Sequence, residues 1–221
     1  MKKTVCCLLA FLMMLGMCAC SNQGPLTQEQ IAKLREQYPT RSMEGTDIGA
    51  IAVYYSFSME QISRDRAEDW VRVKCIKEDT KIILNDESGT ETDDSMIAAI
   101  EAKTGSSLTR TIVTHRYIMK VNDSCYGAFK KGDTFTLVIP ETDLEFTPDP
   151  SKGGEYMMAV YHPAHPFFAQ DPNVYESIFD FMFYITPNGY VLSVSDYENK
   201  EEYSGITVDE WIEKVKALKT E

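Results

Sequence analysis

The sequence is short of histidine and positive charge, and each shortage closes off a class of function. Three histidines in 221 residues leave few imidazoles for acid–base work or metal ligation. Against 34 Asp and Glu stand only 22 Lys and Arg, a formal charge of −12. An acidic body is ill suited to phosphate backbones, whose binding rests on basic contacts that release counterions, so nucleic acid is not expected as a partner. No Gly-x-Ser-x-Gly elbow marks a nucleophilic serine, and no repeat recurs. No motif calls for a cofactor or identifies a catalytic residue. Carboxylate pairs such as Glu201-Glu202 and Asp93-Asp94 read as solvated faces. The apolar run from Val5 ends at Cys20, short of the ~20 residues that span a bilayer.

What is present begins with the layout of a secretion signal, Lys2 and Lys3 ahead of that apolar run. Its ending, Met17-Cys18-Ala19-Cys20, resembles the lipobox of bacterial lipoproteins, in which the last cysteine is acylated and becomes the mature N-terminus. Met17 and Cys18 stand where that pattern usually has Leu and a small residue, and an ordinary cleaved signal is the other reading. The resemblance implies a signal peptide over residues 1–19, a lipid tether with a short helix and linker over 20–50, and one domain over 51–221. It also implies lipidation of Cys20 by diacylglycerol and palmitate-like chains, anchoring the protein at the cell envelope on the extracytoplasmic side of a bacterial membrane.

With that segment set aside, Cys75 and Cys125 remain of the six cysteines. An even pair in an exported chain suggests a disulfide, worth about 4 kcal/mol for a loop of this length. Two buried free thiols are the alternative.

Turn and period signals place the elements. Thr27 and Gln30 form a capping box ahead of Ile31 and Leu34, as do Ser58 and Gln61 ahead of Ile62. From Trp70 the period changes to two: Val71, Val73 and Cys75 share one face, and Ile82-Ile83-Leu84 resume the run. Residues 85–107 are acidic and rich in Gly, Ser and Thr, with a small helix possible from Asp94. The longest alternation follows, Val113, His115, Tyr117, Met119 and Val121 on one face. After Gly127 and Gly132, Phe135, Leu137 and Ile139 resume it as far as Pro140. A strand over Tyr156–Tyr161 leads to the loop HPAHPFFAQDPN. Ile178–Thr186 and Tyr190–Ser195 then read as a hairpin on a two-residue Asn188-Gly189 type I′ turn. Thr207 caps a last helix whose buried stripe is Trp211, Ile212, Val215 and Leu218.

The fold class expected is therefore mainly β, α+β by content. The segments SFSMEQISRDRAEDWVRVKCI, THRYIMKVNDSCYGAFKKGDTFTLVIPE, GGEYMMAVYHP and PNGYVLSV together resemble the OB-like barrels of secreted Gram-positive proteins, relatives of the netrin and tissue-inhibitor-of-metalloproteinase modules. The likeness covers residues 55–195. It implies an OB-like antiparallel barrel of five to six strands, with a short N-terminal helix, a helix before the first strand and a C-terminal helix. Those inhibitors act through a free N-terminal cysteine amine. An acylated Cys20 set apart by a helix and linker does not supply one, so that mechanism does not carry over.

Two loop features are the candidates for function. His162 and His165 are weak candidates for a metal site or for a small envelope hydrolase, their spacing matching no standard metal signature. Phe167 and Phe168 form an aromatic pair between prolines, a candidate contact for a partner. His115, on the apolar face of its strand, reads as a packed core residue. The functional expectation is a non-catalytic binding or accessory module for an envelope protein, peptide or glycan, with the hydrolase or metal-binding reading as the alternative.

Overall fold

The computed structural model describes residues 24–42, 57–79, 81–85, 111–163, 166–177, 179–196 and 198–219. Cys20 and the expected helix from Asp94 lie outside the described residues.

Both capping boxes form. Thr27 opens α1 (Gln28–Arg35) and Ser58 opens α2 (Met59–Asp65), each side chain accepting from the backbone N–H three residues on while that glutamine accepts in return. The strands are β1 (Asp69–Glu78), β2 (Ile82–Asn85), β3 (Thr111–Ser124), β4 (Thr134–Pro140), β5 (Glu155–Val160), β6 (Val174–Glu176), β7 (Met182–Ile185) and β8 (Val191–Ser193). Short helical segments α3 (Pro166–Ala169) and α4 (Glu198–Glu201) precede the C-terminal helix α5 (Val208–Ala217). Thr207 caps α5 by accepting from the Glu210 N–H.

All eight strands belong to one sheet in the order β6-β4-β3-β1-β5-β7-β8, with β2 paired to β3. The class is α+β, mainly β. The expectation of five to six antiparallel strands missed two features. Residues 82–85 form a separate strand on β3 rather than resuming β1, and β6 runs parallel to β4. Beyond the strands, Tyr161, just past β5, makes an isolated antiparallel bridge to Glu176 of β6.

The two faces of the sheet bury different residues. On one, Val71, Val73 and Cys75 of β1 meet Tyr117, Met119 and Val121 of β3 and Phe135, Leu137 and Ile139 of β4, with Ile31 of α1 in the same cluster. On the other, Trp70 of β1 packs with Met157, Ala159, Phe181 and Phe183 beneath Met59 and Ile62 of α2 and Trp211, Ile212 and Val215 of α5. Strand alternation produces this division, since successive side chains point to opposite faces.

Of the two readings of the cysteine pair, the structure has the free thiols and not the disulfide: Cys75 and Cys125 are both free and buried. The reason is topological, because Cys75 belongs to the Val71 face and Cys125 to the Trp70 face, with the sheet between them. Burial pushes both thiols up, Cys125 to about 12.

Two local details depart from the sequence reading. Residues Phe179–Phe181 form a 3-10 turn, so the strand starts only at Met182. The hairpin turn is also shifted by one residue. The Gly189 N–H donates to the Thr186 carbonyl at 2.9 Å, which puts Pro187 and Asn188 at the centre and Gly189 at φ +78°. Proline's fixed φ suits the first central position of such a turn, and the left-handed position then falls on the residue without a Cβ.

One buried carboxylate was invisible in the sequence. Asp69, with no exposed surface, accepts from the Ser124 hydroxyl and from the N–H groups of Tyr126 (2.8 Å) and Ala128 (3.0 Å). It ties the start of β1 to the turn after β3, satisfying donors that would otherwise be orphaned.

Candidate binding cleft

A concavity opens beside the middle of β1, the start of β5 and the end of β7. Its volume is about 580 Å³, and its walls are the end of α1 (Gln37 and Tyr38), the segment Lys152–Gly154 and the turn after β7. A second hollow of about 380 Å³ shares Gln37, Tyr38, Thr186 and Pro187 with it and runs on along α1 past Leu34 and Lys33. The two make one groove, within the range of about 300–1,000 Å³ usual for small-molecule sites.

Three tyrosines meet in the wall with their rings tilted, at 60° between Tyr38 and Tyr184 and 44° between Tyr184 and Tyr156. Tyr38 lies 5.4 Å from Tyr184, and Tyr184 lies 6.0 Å from Tyr156, centroid to centroid. The Tyr184 hydroxyl donates to the Pro39 carbonyl at 3.2 Å, which fixes the chain leaving α1 against β7. Burial holds the phenols of Tyr156 and Tyr184 above their ordinary pKa, so both remain neutral hydrogen-bonding groups. A Cβ at Gly154 would stand 2.7 Å from the Tyr156 hydroxyl oxygen. Only glycine lets that ring close over the backbone here.

Charge enters from β1. Its even-numbered residues pass from Trp70, fully buried under the helices, to Arg72 and Lys74 in the cleft. Arg72 donates from Nε (3.0 Å) and Nη2 (2.6 Å) to one oxygen of Glu155, and Asn122 donates to the other at 3.4 Å. Glu155 is thereby neutralised. Lys74 and Lys152 are exposed at the cleft and have no ion-pair partner among the described residues, whereas Lys77 and Lys81 pair with Asp79 and Glu141. The groove thus combines clustered phenols, polar backbone and two ammonium groups without an ion-pair partner among the described residues.

The residues singled out in the sequence lie elsewhere. His162 is partly exposed and stacked on Tyr175 at 4.5 Å; its Nδ1 lies 3.1 Å from the Val174 carbonyl and its Nε2 3.5 Å from Glu68. His165 lies outside the described residues. Among the described residues no group of three or more His, Cys, Asp or Glu converges as a metal ligand set. Phe168 is not the exposed contact expected of it: it is buried on Val138 and Val174, because α3 folds the loop back over β4 and β6. The Phe167 side chain is outside the described set. His115 is buried as expected, but its neighbours are carboxylates, Glu78 3.3 Å from Nδ1 and Glu141 3.6 Å from Nε2.

Two ionisable groups away from the groove are withdrawn from solvent, Lys200 wholly and Glu176 partly. Lys200 has no exposed surface; its ammonium donates to the Phe57 carbonyl at 2.6 Å and lies 4.7 Å from the centre of the Phe181 ring. Burial lowers its pKa to about 8, with the charge of the buried Asp180 opposing the shift. Glu176, beside the bridge to Tyr161, is held above the ordinary carboxylate range by burial and by Asp143. A lysine near the start of a short acidic segment, ENKEE, reads as solvated, and only its docking under the sheet reveals otherwise.

Comparison with family models, with curated proteins and with solved structures matches none of them to this chain.

Proposed function

We propose that this protein is a membrane-anchored extracytoplasmic lipoprotein, carried by acylated Cys20, whose globular domain is a non-catalytic binding module with its ligand site in the groove beside Tyr38. The groove carries this reading. It is open, polar and lined with clustered phenols, and its single carboxylate, Glu155, is held by Arg72 and Asn122. That arrangement suits holding a ligand better than moving a proton, for which a free base within hydrogen-bond reach is needed.

An OB-like barrel is part of the same proposal. Its support is the parallel β4–β6 pair together with the bridge from Glu176 back to Tyr161, which make a circuit β1-β3-β4-β6-β5-β1. Partial closure of this kind is typical of small barrels that bind ligands at their rims.

Two experiments test the proposal. Cys20→Ala should release the chain from membranes and abolish incorporation of labelled fatty acid; label still attached to that variant refutes the anchor. Gln37→Trp places a large ring at the groove mouth from an exposed position. Crosslinking in the native envelope should lose its captured species in this variant, and capture unchanged by it removes the groove as the site. The metal or hydrolase alternative has one observation in its favour, His162 beside Glu68. Stoichiometric metal that disappears on replacing His162 and His165 by Ala would put that reading in its place.

A further inference from the structure

We infer that the ligand of this groove is an anionic saccharide, a sugar carrying a carboxylate or phosphate, with its acidic group at Lys74 and Lys152 and a ring face on Tyr38. The inference rests on the groove being the binding site.

Three features of the groove argue for this chemistry. The first is charge. The chain has a formal charge of −12, yet the groove is lined by Arg72, Lys74 and Lys152 against Glu155 alone, and Arg72 and Glu155 neutralise each other. Two ammonium groups without ion-pair partners among the described residues therefore line one hollow, a local charge opposite in sign to the net charge of the chain. Such a charge attracts and orients an anion.

Aromatic geometry is the second. Tyr38 is partly buried, with Tyr184 tilted against it at 60° and Tyr156 tilted against Tyr184 at 44°. A phenol braced in this way offers a flat apolar face with a polar tip, a surface onto which the C–H face of a sugar ring fits.

The third is what the walls cannot accept. Peptides commonly bind by adding a strand to an open sheet edge. Here β5 lies between β1 and β7, and β7 between β5 and β8. The outer edge of β8 is occupied by hydrogen bonds between Val191 and residues Gly205 and Ile206. Two lysines are also too few for a nucleic-acid backbone, whose affinity is built from many phosphate contacts.

The test is calorimetric titration of the full chain with three probes, trigalacturonate, glucose 6-phosphate and neutral maltotriose, with a glutamate hexapeptide as the charged non-sugar. One or both of the anionic sugars should bind, and which one does identifies the acidic group. Lys74→Glu with Lys152→Glu should weaken binding by about tenfold or more, the effect of reversing charges near a partly solvated anion. Lys130→Glu with Lys131→Glu, an exposed pair away from the groove, should leave it within about twofold after the same change in net charge. Four results overturn the inference: no binding by either anionic sugar, maltotriose binding as tightly as they do, the glutamate peptide matching them, or indifference to the Lys74 and Lys152 reversal. Blockade of envelope capture by Gln37→Trp without sensitivity to charge reversal would leave the groove as the site and remove only its anionic ligand. Capture unaffected by Gln37→Trp removes the site itself.

Discussion

The two faces of the sheet bury comparable numbers of large side chains by different means. The Val71 face is filled mainly by strand residues at alternate positions, chiefly Val, Met, Leu, Ile and Tyr. The Trp70 face is assembled from distant segments, Met59 and Ile62 of α2, Trp70 of β1, Phe183 of β7 and Trp211 of α5. Its rings meet edge to face, Trp70 5.3 Å from Trp211 and Phe183 5.2 Å from Trp211. It also holds charge, Lys200 and Asp180 both being fully buried. A face made by alternation tolerates exchange of one apolar residue for another. A face made by converging rings and a buried cation depends on each member.

Substitutions at the centre of each face should expose this difference. Trp211→Ala removes the ring that joins Trp70, Phe183 and Tyr203 and should cost about 3–5 kcal/mol in urea unfolding. Lys200→Met should cost a similar ~3–5 kcal/mol, because it leaves Asp180 buried without its cation, and adding Asp180→Leu should restore most of the loss. If the double variant is as unstable as the single one, the two charges do not act as a pair.

A pH series separates two buried groups of the Trp70 face by sign. The folded pKa of Lys200, about 8, lies below the ordinary lysine value of about 10.4. Between those values the unfolded chain binds a proton that the folded chain has released, so the contribution of Lys200 to stability rises with pH across that window. The advantage of the wild type over Lys200→Met should grow by on the order of 2 kcal/mol from pH 7 to pH 9.5. Cys125 runs the other way. Its folded pKa of about 12 exceeds the ordinary thiol value of ~8.5, so its contribution falls as pH rises above the latter; comparison in a Cys125→Ser background keeps the two apart.

Smaller effects sharpen the contrast. Asp69→Ala strands the amides of Tyr126 and Ala128 and should cost about 1–3 kcal/mol, with faster amide exchange at those two residues as its signature. On the Val71 face, Met119→Leu keeps volume and should cost less than about 1.5 kcal/mol; a loss as large as that of Trp211→Ala would show that this face is equally intolerant.

Much of the Val71 face was legible because strand alternation needs only neighbours in sequence. Val71, Val73, Tyr117, Met119, Phe135 and Leu137 were all placed by period alone. The helix starts at Thr27, Ser58 and Thr207 were legible for the same reason, since a cap involves residues three apart. The groove was not. Tyr38 and Tyr184 are 146 positions apart, and nothing local brings Lys74 to Lys152. Phe168 was read as exposed because a loop between prolines lacks periodicity, and its burial depends on where Val138 and Val174 stand.

By itself the sequence determined the capped helices and the long alternating strands, which side chains of those strands would share a face, and that the body would be acidic. These are properties of the backbone period, of short-range hydrogen bonds and of composition. Only the tertiary structure decided that Cys75 and Cys125 fall on opposite sides of the sheet, that Lys200 lies beneath it, and that Tyr38, Arg72, Lys74 and Lys152 line one groove. Each of those depends on strand order and register, which arise from packing between segments far apart in the chain.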